Sequence, residues 1–237
     1  MLAPAGRVAM VSGANRGLGL AIAEKLYADG YSLSLGARDP VALARIHVEM
    51  DRTRVLFARY DAAALDSCRT WVAATAARFG RIDALVNNAG LLHQFTVAQA
   101  DEAALDEMWQ VNAKAPLFLA KAALTHLRLS GSGRIVNVSS LSGLRVRRTD
   151  FVGYSMTKFA LIALSHALRQ EAWADGVRVC AFCPSVMATD MAKGMGIDPT
   201  SLIDPRTAAS MIATVLALPN SASVAELPVN IFAEPTW

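Results

Sequence analysis

Short runs of apolar residues alternate along the chain with longer stretches that mix apolar and polar residues. The apolar runs occupy residues 7–11, 32–36, 54–60, 84–87, 134–138 and 178–183. The longer stretches follow Gly19, cover residues 40–50, 65–79 and 105–127, extend from about Tyr154 to residue 174, and run from residue 205 to Pro219. The runs predict buried strands and the stretches predict helices. Because parallel strands need crossover connections, this alternation predicts an α/β fold, with a doubly wound parallel sheet covered on both faces.

Two parts of the chain depart from this alternation. Residues 184–201 show no clear pattern, and Asp204 with Pro205 then supplies a cap and a first turn for the last helix. A final strand is predicted at residues 229–232. Within the helix of residues 105–127, Pro116 removes a backbone donor, so a kink that frees carbonyl groups is expected near Asn112.

Composition narrows the class of protein. The chain has 237 residues, of which 54% are hydrophobic and 18% charged, which predicts one folded domain over residues 1–237. No apolar run reaches the roughly 18 residues of a membrane span, and no cleavage site of small residues follows the N-terminus. We therefore expect a soluble, cytoplasmic protein without a membrane partner.

The net charge of +3 is too small and too dispersed to indicate nucleic-acid binding. The cysteines, Cys68, Cys180 and Cys183, are an odd number and do not form the two short-spaced pairs of a zinc site, so neither a disulfide framework nor a metal site is predicted.

Polar or glycine-rich segments follow five of the predicted strands. They are residues 12–19, 37–39, 61, 87–90 and 139–142. In open α/β sheets, ligands bind beyond the carboxyl ends of the strands. These segments therefore predict one long cleft along a single edge of the sheet.

The first of these segments has the pattern G-x-x-x-G-x-G at Gly13, Gly17 and Gly19. A strand, a glycine-rich turn and a helix in this order allow backbone amides to approach a pyrophosphate, and the helix N-terminus adds the positive end of its dipole. An ordinary turn that leads into a helix is the alternative interpretation.

Tyr154 and Lys158 stand four residues apart in a predicted helix, so they share one face. A tyrosine that acts as an acid or base near neutral pH needs its pKa lowered by roughly 3, and an adjacent cation can supply that stabilisation. On its own the pair is better explained as two stacked side chains on a half-exposed helix.

Together with Asn87-Asn-Ala-Gly90, Asn112 and Ser140, these motifs resemble the short-chain dehydrogenase/reductase family over nearly the whole chain. The resemblance implies a Rossmann-type domain with a seven-stranded parallel sheet and nicotinamide-dependent hydride transfer between an alcohol and a carbonyl. It also implies that Tyr154 exchanges a proton with the substrate oxygen, Lys158 lowers the tyrosine pKa and holds the nicotinamide ribose, Ser140 binds the substrate oxygen and Asn112 anchors a water. A buried amide that bonds carbonyls of the kinked helix is the alternative role for Asn112. The implied cofactor-binding residues are Gly13, Asn15, Arg16, Gly17, Leu18, Gly19, Arg38, Asp61, Asn88, Ala89, Gly90, Tyr154, Lys158, Met187 and Thr189.

The family pattern also decides between two neighbouring serines, and the chain departs from it after the sixth strand. Ser140 is preferred over Ser139 because the family serine stands three positions before a glycine, here Gly143, and strand alternation turns Ser139 the other way. After the sixth strand, Ser185 replaces the usual glycine and Met187 the usual Val or Ile. Thr189 can still reach the nicotinamide carboxamide.

Cofactor choice follows from the end of the second strand. NAD-selective sites usually place an acid there for the ribose hydroxyls, whereas this chain has Ala37-Arg38 and no acid before Asp39. Arg38 and Arg16 can both meet a 2′-phosphate, so NADP(H) is predicted in preference to NAD(H). Alternatively, Arg38 pairs with Asp39 or points to solvent, and Arg16 merely covers the turn.

The resemblance implies a small carbonyl or alcohol as the substrate, and the sequence does not name it further. Residues 185–203 are expected to form a mobile lid whose methionines, Met187, Met191 and Met195, shape an apolar pocket. Arg145, Arg147 and Arg148 could instead steer an anionic substrate, although a solvated or subunit-facing cluster is the simpler interpretation. His93 is expected to be solvated and Cys183 to be a buried apolar residue. The resemblance also implies a homodimer or homotetramer.

Two further functions fit the same fold. A dinucleotide-sensing regulator or scaffold is disfavoured because such proteins tend to lose the Tyr or the Lys. An epimerase or dehydratase of the longer relatives is disfavoured by the short C-terminal part.

Overall fold

A computed structural model describes residues 1–233 of the chain. It contains seven strands, β1 (Val8–Ser12), β2 (Ser32–Ala37), β3 (Val55–Arg59), β4 (Ala84–Asn87), β5 (Arg134–Val138), β6 (Arg178–Pro184) and β7 (Glu226–Val229). Their order in the sheet is β3-β2-β1-β4-β5-β6-β7, and every neighbouring pair is parallel. The predicted seven-stranded parallel sheet and its α/β class are confirmed.

Helices cover both faces of the sheet. They are α1 (Gly17–Asp29), α2 (Pro40–Ile46), α3 (Asp66–Phe79), α4 (Glu102–Trp109), α5 (Ala115–Leu129), α6 (Val152–Ala172) and α7 (Pro205–Ala217). Helices α1 and α7 pack on each other and bury one face, with Leu26 and Ile212 in its core. The opposite face is buried by α3 and α5, with Trp71 and Leu119 in its core. The central strands are therefore buried on both sides, as their continuous apolar runs require.

The order of the strands places a switch point between β1 and β4. Chain connections leave this pair in opposite directions, toward β2 on one side and toward β5 on the other. A crevice opens beyond the carboxyl ends of strands at such a point. Residues 12–19 follow β1 and residues 87–90 follow β4, so two of the predicted ligand segments border this crevice.

Three boundary predictions need correction. The last strand is Glu226–Val229, not 229–232, and the sequence pattern was misleading because Pro228 lies within it. An edge strand tolerates proline, since one of its sides has no partner.

The helix predicted at 40–50 ends at Ile46. The helix predicted at 105–127 is α4 and α5 joined by a π-helical turn, Gln110–Lys114, which carries Asn112. Pro116 falls in the first turn of α5, where its missing N–H costs little.

The segment after β6 is more ordered than its composition indicates. Its base forms a short parallel bridge between Met187 and Ile203, with Ala188 N donating to Ile203 O at 2.9 Å and Ile203 N donating to Val186 O at 3.1 Å. Two short 3-10 helices, Asp190–Ala192 and Pro199–Ser201, lie between these points. The loop is thus pinned where it begins and where it ends.

Candidate active site

The glycine-rich turn brings β1, β4 and α1 into close contact. A Cβ atom at Gly19 would lie 2.1 Å from Gly13 O and 2.5 Å from Asn88 Nδ2, so no side chain fits there. Gly13 has φ +68° and donates its N–H to Gly36 O at 2.8 Å. Only glycine adopts that φ readily and also allows the approach of Ala89, whose Cα lies 3.1 Å from a Cβ built on Gly13.

The first turn of α1 is left open for an anion. Its N-cap is Arg16, whose side chain accepts no hydrogen bond from the helix, so the first amides of α1 have no capping oxygen. The side chain of Leu18 is buried in the core, and Asn15 is exposed. The diphosphate of a dinucleotide fits this place for three reasons. The first amides of the helix are free, the glycine-rich turn leaves space that a Cβ would fill, and the positive end of a 13-residue helix points there.

Ser12 and Asn88 tie the ends of β1 and β4 together. The Ser12 hydroxyl accepts from Asn88 N at 2.9 Å and from Ala89 N at 3.0 Å. Asn88 Nδ2 donates to Ser12 O at 2.9 Å and to Gly13 O at 3.2 Å. These bonds shape the segment that leads to Gly90, where a Cβ would meet Asn112 Oδ1 at 3.2 Å.

Tyr154 and Ser140 meet at the end of β5. The Tyr154 side chain is buried, and burial raises the pKa of its phenol to about 12, while a side-chain hydrogen bond with Ser140 opposes the rise. Ser140 Oγ also accepts from Ser142 N at 3.1 Å. Ser139 turns the other way and donates to Lys158 O at 3.1 Å. Ser140, not Ser139, therefore shares a hydrogen bond with the Tyr154 phenol, and its role toward a substrate stays a prediction.

Gly143 allows the Ser140 turn to sit against α6. A Cβ at Gly143 would lie 2.7 Å from Lys158 O and 2.7 Å from Ser139 Oγ. A side chain at this position would push the turn away from the helix. The glycine thus sets the distance between the two elements that carry Ser140 and Tyr154.

Lys158 is buried beside Tyr154. Its Nζ donates to Val138 O at 2.9 Å and lies 5.5 Å from the centre of the Tyr154 ring. Desolvation lowers the pKa of Lys158 to about 8, because burial disfavours the ammonium form. Burial raises the pKa of the phenol and the Lys158 ammonium is directed at Val138 O, so the expectation that Lys158 lowers the tyrosine pKa stays a prediction.

Asn112 links the π-helical turn to the segment after Gly90. Its Oδ1 accepts from Leu91 N at 2.9 Å, and its Nδ2 donates to Leu91 O at 2.9 Å and to Thr157 Oγ1 at 3.1 Å. The side chain therefore does not bond carbonyls of its own helix, which corrects the alternative considered from the sequence. Its anchoring of a water toward Lys158 stays a prediction.

An apolar wall stands beside the Tyr154 ring. Phe95, Met108 and Phe151 form a buried cluster with Tyr154, and Met195 packs against it. Of the three methionines expected to shape the pocket, only Met195 does so. Met187 packs on the main core instead, and Met191 is exposed.

The cationic end of the crevice is built from β2 and the glycine-rich turn. Arg38 is exposed and has no hydrogen bond or ion pair within residues 1–233. Asp39 does not pair with it, because the Asp39 carboxylate caps α2 by accepting from Val41 N at 2.9 Å and Ala42 N at 3.0 Å. Arg16 reaches across the crevice to Asp190, with Nη1 3.4 Å from Oδ2.

The remaining predicted cofactor residues belong to the loop after β6, the glycine-rich turn and the end of β3. A Cβ built on Gly17 would meet Thr189 Cγ2 at 3.2 Å, so the loop after β6 touches the glycine-rich turn. Gly17 and Thr189 border a cleft of about 540 Å³. Asp61 follows β3, and its carboxylate accepts from Ala63 N at 3.0 Å. Met187 stands two residues before Thr189 but points into the core.

Three other candidate residues have partners or surroundings that the structure defines. His93 is exposed, with Nε2 2.7 Å from a Glu107 oxygen, as expected for a solvated residue. Cys183 is a buried free thiol whose pKa burial raises to about 12, which agrees with an unreactive apolar role. Arg148 pairs with Asp150 at 2.7 Å.

Three residues in this region were not singled out from the sequence. Ser12 organises the end of β4, and Thr157 holds the Asn112 amide while donating to Tyr154 O at 2.8 Å. Arg59 is paired with Ala37 in the sheet register and is exposed next to Arg38. Arg59 could have been found by aligning the ends of the predicted strands β2 and β3, which places it beside Ala37. No pattern in the sequence indicated Ser12 or Thr157.

Within residues 1–233, no three His, Cys, Asp or Glu side chains are grouped so as to hold a metal ion. None of the helices in that range is both long and apolar enough to cross a membrane.

A switch-point crevice, a glycine cradle and an uncapped helix N-terminus define a dinucleotide-binding α/β protein. Residues 7–199 match the family model described as short chain dehydrogenase. The chain belongs to the short-chain dehydrogenase family.

The chain is similar to proteins that include bacterial and archaeal ones. An agropine synthesis reductase of Rhizobium rhizogenes is 38% identical over 219 residues, which are 92% of this chain and 50% of that protein. The chain thus spans about half the length of this relative. An alcohol dehydrogenase structure from Thermococcus sibiricus, complexed with 5-hydroxy-NADP, is 30% identical with a TM-score of 0.88, covering 98% of this chain and 99% of that one. A Burkholderia cenocepacia short chain dehydrogenase in complex with NADP is 27% identical with a TM-score of 0.86, covering 96% and 98%.

Proposed function

We propose that the protein is an NADP(H)-dependent oxidoreductase that interconverts a carbonyl and an alcohol by hydride transfer, with Tyr154 as general acid and base. The observation that carries the proposal is the meeting of three side chains next to the apolar wall. Tyr154, Ser140 and Lys158 come from two elements whose spacing is fixed by Gly143. When bound, the nicotinamide cofactor supplies or accepts the hydride.

The residues of the chain then need only to orient the substrate and handle one proton. With a pKa of about 12, Tyr154 is protonated at neutral pH and can donate to a carbonyl oxygen as an acid. Ser140 shares a hydrogen bond with the phenol and can donate a second one to the same substrate oxygen. Lys158, whose pKa is about 8, is mostly protonated at neutral pH and can return a proton to Tyr154 after the phenol has donated its own.

Preference for NADP(H) is supported by the charges at the end of β2. Arg38 is exposed without a partner among residues 1–233, and Asp39 is used as a helix cap. A guanidinium meets a phosphate with a planar pair of donors. The two structural relatives named above contain NADP or a derivative of it, which agrees with this proposal. In this assignment Asp61, Asn88 to Gly90 and Thr189 contact other parts of the cofactor.

A neutral carbonyl compound with an apolar substituent is the proposed substrate class. Phe95, Phe151 and Met195 supply the wall beside Tyr154, and residues 185–203 form the lid. Arg148 is neutralised by Asp150, which disfavours steering of an anionic substrate by this residue. A panel that compares neutral and carboxylate-bearing carbonyls tests the class, and a strong preference for the acids would contradict it.

The central experiment combines cofactor oxidation with a Tyr154→Phe variant. Wild-type protein should oxidise NADPH in the presence of a carbonyl substrate, with kcat/KM higher than for NADH. The variant loses only the hydroxyl, so it should bind NADPH normally while kcat falls by about 10² to 10⁴. A variant that binds NADPH normally and keeps more than about a tenth of wild-type kcat would disprove the role of Tyr154. Normal NADPH binding with no NADPH oxidation in the presence of any carbonyl substrate would favour the sensing function.

A paired substitution tests the cofactor preference. Ala37→Asp with Arg38→Leu adds the diol acceptor and removes one phosphate contact. The loss should cost about 1.5 to 3 kcal/mol of NADPH binding, which is about ten-fold to over a hundred-fold in Kd. Higher kcat/KM with NADH in the wild-type protein would refute the assignment.

Assembly into a homodimer or homotetramer in the cytoplasm completes the proposal. Helices α4, α5 and α6 expose several large apolar side chains, namely Trp109, Leu117, Phe118, Met156 and Phe159. Such a set of apolar side chains is typical of an interaction surface. Light scattering on the purified protein should give at least twice the monomer mass of 25.2 kDa.

A further inference from the structure

One ion pair crosses from the glycine-rich turn to the lid. Arg16 Nη1 lies 3.4 Å from Asp190 Oδ2, and the two residues are 174 positions apart in the chain. The two segments that carry them lie close together, since a Cβ built on Gly17 would meet the Thr189 side-chain methyl, Cγ2, at 3.2 Å. The pair therefore closes the outer side of the crevice where the first turn of α1 begins.

Asp190 holds a second and closer cation. Lys193 Nζ lies 2.6 Å from Asp190 Oδ1, and the pKa of Asp190 is lowered by Lys193 first and by Arg16 second. Arg16 makes one longer contact, and its side chain is 68% exposed. Asp190 would thus keep a partner if Arg16 turned away, so the Arg16 contact is the weaker of the two.

We propose that Asp190 is a specificity-determining residue, because it competes with the 2′-phosphate of NADP(H) for Arg16. This inference rests on the proposed use of NADP(H). Arg38 has no competing partner within residues 1–233, whereas Arg16 must leave Asp190 before it contacts a phosphate. NADH lacks the phosphate, so the competition weakens the binding of NADPH and leaves that of NADH unchanged. Asp190 therefore reduces the preference for NADPH over NADH that Arg16 and Arg38 would otherwise provide.

The test measures Kd for NADPH and NADH by calorimetry at low salt, where exposed charges interact most strongly. Asp190→Asn keeps the shape of the side chain and removes its charge. An exposed ion pair of this type changes an equilibrium by about two- to five-fold. Asp190→Asn should therefore tighten NADPH by that factor and leave NADH within experimental error.

A matched variant should move the affinity the other way. Lys193→Met leaves Asp190 with Arg16 as its nearest cation, so Arg16 is held more firmly and NADPH should bind about two-fold more weakly. In an Arg16→Leu background, neither Asp190→Asn nor Lys193→Met should change NADPH affinity, because the shared residue is gone.

Two results would overturn the inference. One is an equal effect of Asp190→Asn on NADPH and NADH, and the other is an effect on NADPH that persists in the Arg16→Leu background. If Arg16→Leu weakens NADPH but Asp190→Asn has no effect, the inference fails while the proposed function stands. If NADH binds more tightly than NADPH to the wild type and Arg16→Leu changes neither, the proposed cofactor preference itself fails.

Discussion

The buried ammonium of Lys158 should make the stability of the protein depend on pH between neutrality and pH 9.5. Its side chain is almost fully buried, and desolvation lowers its pKa from 10.5 to about 8. Between these two values the unfolded chain binds more protons than the folded one, so the free energy of unfolding rises with pH in this window. Below pH 8 both states are protonated, and the cost of burying the charge is present in full.

The magnitude follows from the size of the pKa change. At about 1.4 kcal/mol for each factor of ten, the full cost is about 3 kcal/mol at pH 7 and falls to about 1.4 kcal/mol at pH 9.5. Lys158→Met removes the titrating group and keeps a side chain of similar length. It also leaves Val138 O without its donor, a cost of about 1 to 3 kcal/mol that does not depend on pH in this window.

Urea unfolding of wild type and Lys158→Met at pH 7 and pH 9.5 measures the effect. The wild type should gain about 2 kcal/mol relative to the variant between the two pH values. Tyr154, whose pKa is raised, is present in both proteins, so its contribution cancels in the difference. Lys121→Met, at an exposed position, should show no such change. A difference between wild type and Lys158→Met that stays constant within about 0.5 kcal/mol would refute a lowered pKa at Lys158.

Three other substitutions have direct expectations. Ser140→Ala should lower kcat by about 10² to 10³ through loss of a donor to the substrate oxygen, whereas Ser139→Ala should leave kcat nearly unchanged and cost about 1 kcal/mol of stability through its bond to Lys158 O. Steady-state kinetics and urea unfolding of both variants check this, and equal kinetic losses would contradict the assignment. Gly19→Ala would place a methyl group 2.1 Å from Gly13 O, so NADPH affinity should fall at least about ten-fold in a calorimetric titration of protein shown to be folded by circular dichroism. Unchanged affinity would mean that the glycine cradle does not bind the cofactor.

The sheet was predictable from the sequence because its strands are buried on both faces. Such strands read as continuous apolar runs, and β4 and β5 were predicted with their observed bounds. At the edge of the sheet the signal fails, since β7 contains Pro228 and is only partly buried. The alternation of elements fixed the fold class even where a boundary was wrong.

Side-chain partners were less predictable than side-chain positions. The sequence placed Tyr154 and Lys158 on one helical face, but the direction of the tyrosine pKa depends on burial and on the contact of Lys158 with Val138 O. The partners of Asn112 depend on where Leu91 folds back. The contact between Arg16 and Asp190 joins distant parts of the chain, and no local pattern encodes it.

The π-helical turn at Gln110–Lys114 acts as an insertion of one residue within a helix. Each residue of an α-helix advances about 100° around the axis, so this turn offsets the inward face of α5 from that of α4 by about that angle. Deleting one residue between 110 and 114 would restore a continuous helix and rotate Met108 or Leu119 out of its core. Homologous chains that keep both cores should therefore tolerate substitutions in this turn more readily than changes in its length.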